Sequence, residues 1–260
     1  MFEDLFSLRD RVALITGGSR GIGKMIAKGF IAYGARVYIS SRKADACEAT
    51  ARELSSGGGF CEALPIDAST KEGVAALAHA FAMREPKLDV LVNNAGAAWL
   101  AEFDEFPEKG WDKVVDLNMK TPFFLTQALA TQLRAAASRD RPSKVINIAS
   151  IDGITLNPQE TYSYAASKAG LIHLTKRMAA RLARENIVVS TIAPGAFASE
   201  MNTGARDHGD EVAKRIPLGR IGTEEDMAGA AIFLASRAGD YVVGSTVAVD
   251  GGVAYWRQVS

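Results

Sequence analysis

Residues 161–170, TYSYAASKAG, contain two tyrosines and one lysine. Side chains four positions apart share a face of a helix, whereas those two apart do not. Tyr164 and Lys168 have the four-residue spacing, and Tyr162 does not. A tyrosine has a pKa of about 10, so a catalytic tyrosine needs a neighbouring positive charge to exchange protons near neutral pH. The spacing favours Tyr164 as the acid/base and predicts that Tyr162 points into the core or the mouth of a pocket.

Two further polar residues are candidates for the same site. Ser150 ends the strand-like run KVINIAS, and open parallel sheets bind ligands at the carboxyl ends of their strands. Its hydroxyl is predicted to hydrogen-bond a substrate oxygen and stabilise the charge that develops there. From the residues alone, a Tyr-x-x-x-Lys pair is more often a solvated helix face, and Asn118 is more often a helix-terminal asparagine. The strand-end position of Ser150 favours a catalytic role for the Tyr164–Lys168 pair.

A glycine-rich turn, TGGSRGIG at 16–23, directly follows the first strand-like run and precedes a long helical stretch. Gly17, Gly21 and Gly23 have a GxxxGxG spacing, which is looser than the GxGxxG dinucleotide fingerprint. Missing side chains let the backbone approach a pyrophosphate, whose charge the helix N-terminus stabilises. Glycine turns after strands also occur without a ligand, but the position of this one favours a dinucleotide site.

The residues after the second strand-like run indicate which dinucleotide binds. An acid there would contact the adenosine ribose of NAD, and an arginine would pair with the 2′-phosphate of NADP. The run Ser40-Ser41-Arg42-Lys43 has no acid before Asp45, and Arg20 in the glycine turn is a second cation. Either arginine alone would be an ordinary surface charge. Because arginine suits phosphate geometry, the pair predicts NADP as cofactor, with a clear preference for NADPH over NADH.

The elements that must position these residues alternate short β-branched runs with longer amphipathic stretches. This pattern predicts a parallel sheet covered by helices on both faces. No linker, repeat or low-complexity segment divides the chain, and the glycines at 57–59 fit a helix-to-strand turn, so one domain over 1–260 is predicted. The strand-like runs are VALIT (12–16), VYIS (37–40), VLVNN (90–94), KVINIAS (144–150), VVSTIAP (188–194) and STVAVD (245–250).

Composition limits the classes of partner. With 260 residues and 48% hydrophobic content, the chain can bury a full core. Thirty basic residues balance thirty acidic ones, which favours a small-molecule partner over nucleic acid or a membrane. Cys47 and Cys61 lack metal-ligand spacing, so reduced structural thiols and no metal are expected. No signal-like or membrane-length segment is evident, which predicts a cytoplasmic protein.

Together these motifs resemble the short-chain dehydrogenase/reductase family, and most of all its bacterial NADPH-dependent 3-oxoacyl reductases, including the rhamnolipid-pathway type. The match spans nearly the whole chain in the family's order. It rests on TGGSRGIG, NNAG at 93–96, Asn118, Ser150, YAASK at 164–168 and PG at 194–195. The resemblance implies an α/β fold, a doubly wound seven-stranded parallel Rossmann sheet, and hydride transfer between a nicotinamide and a carbonyl or alcohol.

The resemblance also implies roles for individual residues. Lys168 would hydrogen-bond the nicotinamide ribose and lower the pKa of Tyr164, while Asn118 would hold a water that links Lys168 to solvent. Asp67 would contact the adenine, although an Asp before Ser-Thr also suits a helix N-cap. The implied cofactor-binding residues are Tyr164 and Lys168 with Gly17, Ser19, Arg20, Gly21, Ile22, Gly23, Ser41, Arg42, Asp67, Ala68, Asn93, Asn94, Ala95, Gly96, Ile192, Pro194, Gly195 and Phe197.

The substrate side is less constrained by the sequence. The long, glycine-containing segment 196–221 is predicted to be a lid, with Ser199 replacing a threonine that the family often uses to contact the carboxamide. Asp152 and Gln159-Glu160 add polarity near the mouth. An apolar wall is predicted from Trp99, Phe103, Ile154, Leu156, Phe197 and Met201. The first substrate candidate is an apolar ketone or 3-oxoacyl thioester, and the second is a sugar-type polyol or keto acid.

The resemblance implies a homotetramer or homodimer. Two rival functions stay open. An NAD-linked alcohol oxidiser is disfavoured by the missing ribose acid. A non-catalytic NADP-binding regulatory protein is disfavoured because Ser150, Tyr164 and Lys168 are all present.

Overall fold

The computed structural model describes residue 2 and residues 4–255. Strands and helices alternate along the chain, and the predicted strand-like runs form strands whose ends differ from the predicted ones by at most two residues. The strands are β1 Val12–Thr16, β2 Arg36–Ser40, β3 Phe60–Leu64, β4 Val90–Asn93, β5 Ser143–Ile148, β6 Ile187–Pro194 and β7 Thr246–Val249.

All seven strands form one parallel sheet in the order β3-β2-β1-β4-β5-β6-β7. The chain proceeds outward from β1 to β3 and then returns to the other side of β1 at β4. At such a reversal the loops leaving the two central strands diverge and open a crevice at the carboxyl edge of the sheet. The prediction of a doubly wound seven-stranded parallel sheet is confirmed.

Ten α-helices connect and cover the strands of the described chain. They are α1 Gly21–Ala32, α2 Ala44–Ser55, α3 Lys71–Ala82, α4 Glu108–Val115, α5 Thr121–Ala128, α6 Ala130–Ala136, α7 Tyr162–Leu182, α8 Thr203–Asp207, α9 Gly209–Ala213 and α10 Glu224–Ala235. A π-helical turn, Asp116–Lys120, joins α4 to α5. Within residue 2 and residues 4–255, no helix has the length and apolar character needed to span a membrane.

Apolar side chains on the two faces of the sheet build two separate cores. Successive side chains of a strand point to opposite faces, so the neighbours Leu14 and Ile15 of β1 belong to different clusters. Ile15 packs in the cluster that contains α1 and α10, and Leu14 in the one that contains α3, α5 and α7. Cys47 is buried and both cysteines are free thiols. The sheet is therefore a rigid platform whose carboxyl edge carries the polar turns.

Candidate active site

One cleft of about 800 Å³ lies along the carboxyl edge of the sheet, from the glycine turn to segment 196–221. This volume is typical of cofactor and small-molecule sites. Apart from Gly23, Asn93 and Ile192, every cofactor-binding residue implied by the resemblance lines the cleft, and Ser150, Tyr164 and Lys168 line it as well. Ser40, Thr16, Leu117, Ile151, Asn157, Thr161 and Asn202 also line it, without a sequence motif that distinguishes them.

The glycine turn adopts a conformation that needs glycine. Gly17 has φ +64° and Gly21 has φ +51°, the left-handed region that side chains disfavour. Gly23 has a different role from the expected one. It does not line the cleft, and a Cβ there would lie 2.3 Å from the Gly17 carbonyl oxygen. Its missing side chain lets α1 begin directly against the turn, which leaves a backbone cradle suited to a pyrophosphate.

The ends of β1 and β4 are tied together by polar contacts. Thr16 Oγ1 accepts hydrogen bonds of 3.0 Å from the backbone N–H groups of Asn94 and Ala95. Asn94 Nδ2 donates to the carbonyl oxygens of Thr16 and Gly17 at 2.9 and 3.1 Å. These contacts fix the floor of the cleft, and no sequence motif marked Thr16.

Two predicted cleft residues lie in the core instead. Asn93 is the last residue of β4, and its side chain is buried in the core. There its Nδ2 donates to Asn147 Oδ1 at 2.8 Å. Ile192 is fully buried inside β6. The cleft wall begins two residues later, at Pro194 and Gly195. The expected roles of Asn93 and Ile192 at the cofactor are therefore wrong.

Asp67 does not cap a helix, the alternative role that its place before Ser-Thr suggests. Its Oδ1 accepts from the Ser69 N–H at 3.0 Å, while Thr70 caps α3 by accepting from the Gly73 N–H at 3.0 Å. Because β3 ends at Leu64, Asp67 lies in the loop beyond the strand, where it lines the cleft with Ala68.

Two cationic residues lie in the part of the cleft that follows the end of β2. Ser41, Arg42 and Lys43 line this part of it. Within residues 4–255, Arg42 makes no ion pair, whereas Arg20 pairs with Glu200 of segment 196–221. The predicted pair of phosphate-binding arginines is thus unequal, because Arg20 already has an anionic partner.

Tyr164 and Lys168 lie on the first turns of α7, with the lysine ammonium 5.5 Å from the tyrosine ring centroid. Lys168 is 4% exposed, and its Nζ donates to the Ile148 carbonyl oxygen at 2.8 Å. Ser150 accepts from the Asp152 N–H at 3.1 Å, and its hydroxyl acts to lower the pKa of Tyr164. The structure thus brings Ser150, Tyr164 and Lys168 together at one end of the cleft.

Burial governs the protonation of this site. It raises the pKa of Tyr164 to about 12, with the charge of Asp152 adding to the rise and the hydrogen bond to Ser150 opposing it. Burial also lowers the pKa of Lys168 to about 8, and Asp152 opposes that fall. Lys168 is not among the causes of the Tyr164 shift, so the expectation that it lowers this pKa stays a prediction. Both groups occupy a water-poor site that disfavours each charged form, and Lys168 directs its Nζ to a backbone carbonyl.

Asn118 joins two segments behind the cleft and does not line it. Its Oδ1 accepts from the Ala97 N–H at 2.8 Å, and its Nδ2 donates to the Ala97 carbonyl at 2.9 Å and to Ser167 Oγ at 3.0 Å. It lies in the π-helical turn between α4 and α5. Its role in a water link to Lys168 stays a prediction.

Tyr162 lies outside the cleft. Its hydroxyl donates to Glu160 Oε1 at 2.7 Å, and its ring packs edge-on against Phe103 and Phe106. Tyr162 is 36% exposed in this aromatic cluster, so it does not lie in the core. Its predicted place at the pocket mouth stays a prediction.

Only two members of the predicted apolar wall, Phe197 and Met201, line the cleft. Trp99 instead packs over Gly110, Leu156 is 97% exposed, and Phe103 belongs to the aromatic cluster. Ile154 also lies outside the lining. Polar residues also line the cleft, namely Asp152, Asn157, Gln159, Thr161 and Asn202.

Comparisons with known proteins agree with this geometry. A family model described as enoyl-(acyl carrier protein) reductase matches residues 17–254. The rhamnolipids biosynthesis 3-oxoacyl-[acyl-carrier-protein] reductase of Pseudomonas aeruginosa is 44% identical, with 95% of this chain and 97% of that protein covered. Gluconate 5-dehydrogenase of Gluconobacter oxydans is 36% identical, with 96% and 97% covered.

Solved structures give the same two groups of relatives. A Pseudomonas aeruginosa RhlG/NADP active-site complex superposes with a TM-score of 0.94 at 44% identity, covering 97% of this chain and 99% of that one. A gluconate 5-dehydrogenase from Burkholderia cenocepacia in complex with NADP and tartrate gives 0.89 at 36% identity, covering 98% and 99%.

Proposed function

The chain belongs to the short-chain dehydrogenase/reductase family of oxidoreductases, and from this premise we propose that it reduces a carbonyl to a secondary alcohol with NADPH. A 3-oxoacyl thioester or related ketone is the first substrate candidate, since the relative at 44% identity is named as a 3-oxoacyl-[acyl-carrier-protein] reductase. The observation that carries the proposal is the position of Tyr164 in the cleft, together with Ser150 and Lys168.

The protonation state of Tyr164 supports reduction. With its pKa raised to about 12 by burial, the phenol is protonated at neutral pH, which is the form that a proton donor to a carbonyl oxygen needs. Ser150 donates a hydrogen bond to the same oxygen and stabilises its developing negative charge. Lys168, held by the Ile148 carbonyl, orients the nicotinamide ribose and stabilises the phenolate left after proton transfer.

The residues of the cleft fit NADPH. The backbone cradle at Gly17 and Gly21, with no Cβ at either position, would hold the pyrophosphate, and Ser41 and Arg42 would hold the 2′-phosphate. Asp67 and Ala68 would border the adenine, and Pro194, Gly195 and Phe197 the nicotinamide. When bound, the cofactor supplies the hydride that the carbonyl carbon accepts. Asn118 would position a water that returns a proton towards Lys168.

Segment 196–221 is proposed to close over the bound substrate. Its residues Ser199, Glu200 and Met201 line the cleft, and Ser199 lies above the glycine turn, 3.2 Å from where a Cβ of Gly21 would lie. A lid in this position shields the reacting atoms from water.

Association into a homotetramer or homodimer is also proposed. Exposed aromatic side chains on neighbouring helices support it: Trp111 on α4, and Phe123 and Phe124 on α5. Large apolar side chains grouped on a surface favour a protein interface. Size-exclusion chromatography with light scattering tests the assembly, and a monomer would refute it.

A second substrate class, a keto sugar or polyol, is favoured by one observation. The cleft next to Ser150 carries Asp152, Asn157, Gln159 and Thr161, which offer hydrogen bonds to hydroxyl groups rather than an apolar wall. Relatives named gluconate 5-dehydrogenase share the fold over nearly the whole chain.

The test is a panel of carbonyl compounds with NADPH, from 3-oxoacyl thioesters to diketones and keto sugars. Tyr164→Phe is expected to lower kcat at least about 100-fold while NADPH binding is retained. Tyr162→Phe is the matched control, and it should have little effect because Tyr162 lies outside the cleft. Retained activity of Tyr164→Phe would refute the role of Tyr164. Tight NADPH binding without turnover of any carbonyl would instead favour a regulatory protein.

A further inference from the structure

Near Ser150 the cleft contains one carboxylate that the proposed reaction does not use. Asp152 lies in the 3-10 turn Ile151–Gly153 and lines the cleft. Its Oδ2 accepts from Asn157 Nδ2 at 3.0 Å. In the described part of the chain, Oδ1 has no hydrogen bond and Asp152 no ion pair, which leaves one carboxylate oxygen for a ligand.

The turn that carries Asp152 is held firmly against the catalytic helix. Asp152 donates its backbone N–H to Ser150 Oγ at 3.1 Å. Gly153 packs so closely on α7 that an added Cβ would lie 2.7 Å from the backbone of Lys168 and Ala169. Asp152 therefore lines the same end of the cleft as Ser150, Tyr164 and Lys168, and its charge acts on both Tyr164 and Lys168.

An ionised carboxylate can only accept hydrogen bonds. Beside the reacting carbonyl it stabilises a substrate that carries a hydroxyl or N–H donor, and it repels a substrate that carries its own carboxylate there. A site built to hydrogen-bond a substrate group discriminates strongly against an analogue that lacks the group, because the buried acceptor is then left unpaired.

We propose that Asp152 is a specificity-determining residue that accepts a hydrogen bond from a hydroxyl or N–H group next to the substrate ketone. It thereby favours neutral hydroxylated ketones over bare ketones and α-keto acids. The inference rests on the proposed carbonyl reduction, and it favours the second substrate class over an acyl chain without such a donor.

The test compares butanone, acetoin and α-ketobutyrate, which have equal chain length and differ in the group beside the carbonyl. The native enzyme is expected to show the highest kcat/KM with acetoin and the lowest with α-ketobutyrate. Asp152→Ala should lower the acetoin-to-butanone ratio by about tenfold or more. Asp152→Asn should raise kcat/KM for α-ketobutyrate because the repulsion is removed.

Two control variants separate recognition from loop structure. Glu160→Gln neutralises a nearby acid outside the cleft lining and should leave the acetoin-to-butanone ratio unchanged. Asn157→Ala removes the internal hydrogen bond of Asp152 but keeps its charge, so it should lower the acetoin-to-butanone ratio much less than Asp152→Ala does. An unchanged ratio in Asp152→Ala would overturn the inference, as would an equal collapse of the ratio in Asn157→Ala.

A binding measurement distinguishes failure of this inference from failure of the proposed function. Acetoin and butanone are titrated by calorimetry into NADPH-saturated Tyr164→Phe, with and without Asp152→Ala. Asp152-dependent preference for acetoin, without turnover by the native protein, would refute carbonyl reduction and support the inference. Turnover by the native protein with no preference for acetoin would refute the inference alone.

Discussion

Lys168 is expected to lower the free energy of unfolding of the native protein at neutral pH. Replacing Lys168 with Met should therefore raise that free energy. The Met side chain has a similar length and no charge. Lys168 is 4% exposed, and burial lowers its pKa from the usual 10.5 to about 8. Between these two values the unfolded chain binds more protons than the folded one, so stability rises with pH across this window. The full free energy of unfolding is present above pH 10.5, and part of it is lost progressively as the pH falls from 10.5 to about 8.

The size of the effect follows from the two pKa values. A fall from 10.5 to about 8 corresponds to about 3 kcal/mol of destabilisation at neutral pH. The Met variant also loses the hydrogen bond from Nζ to the Ile148 carbonyl, which costs about 1 kcal/mol. Lys168→Met should therefore be about 1–2 kcal/mol more stable than the native protein at pH 7. By about pH 9.5 the native protein should regain about 2 kcal/mol of this difference.

Urea unfolding followed by circular dichroism, at a fixed protein concentration, measures the difference in unfolding free energy at each pH. Lys176→Met is the matched control, because Lys176 is exposed on the same helix and its replacement should leave the pH dependence unchanged. Lys168→Met should at the same time be inactive. A variant that is less stable at pH 7, with the same pH dependence as the native protein, would refute the reasoning.

Four further predictions concern the cofactor and the proton. Arg42→Ala should lower kcat/KM for NADPH about tenfold or more and leave that for NADH nearly unchanged; an unchanged cofactor preference would contradict the proposed phosphate contact. Glu200→Gln should lower the KM for NADPH by up to about fivefold, since it releases Arg20 from its ion pair, and Glu211→Gln is the exposed control. Because the pKa of Tyr164 is raised to about 12, alcohol oxidation should rise with pH without a plateau up to about pH 10, while the rate of reduction near neutral pH stays level; an oxidation plateau near neutral pH would contradict this. Gly23→Ala should weaken NADPH binding in a fluorescence titration, because its Cβ would lie 2.3 Å from the Gly17 carbonyl oxygen, whereas Gly229→Ala, with no atom within 4 Å of the added Cβ, should bind NADPH normally.

The sequence predicted those features that depend on local pattern. Six of the seven strands are short β-branched runs, so their bounds could be placed within two residues. β3, with the sequence FCEAL, has no β-branched residue and is not among the predicted runs. The four-residue spacing placed Tyr164 and Lys168 on one side of α7, and the glycine turn needed only its position after β1. Each of these depends on a few neighbouring residues and on backbone geometry that sequence determines directly.

Features that depend on tertiary placement could not be predicted in the same way. Asn93 and Asn94 are adjacent in the sequence. Which of the two side chains reaches the cleft depends on where β4 ends, and it ends at Asn93. Arg20 and Glu200 meet because segment 196–221 folds back onto the glycine turn. Whether the pKa of Tyr164 is raised or lowered depends on the total burial of its side chain. One neighbouring lysine in the sequence does not reveal that burial.

The same burial gives the proposed site a preferred direction. A water-poor environment disfavours both charged forms, so it keeps Tyr164 protonated and makes the Lys168 charge costly. In reduction, proton transfer leaves a phenolate beside the ammonium, and the two charges then stabilise each other at short range. That stabilisation is absent before the reaction, so it acts on the developing charge and lowers the barrier. Asp152 raises the pKa of Tyr164 and also opposes the fall in the pKa of Lys168, so its charge favours both the protonated phenol and the ammonium from which the reduction starts.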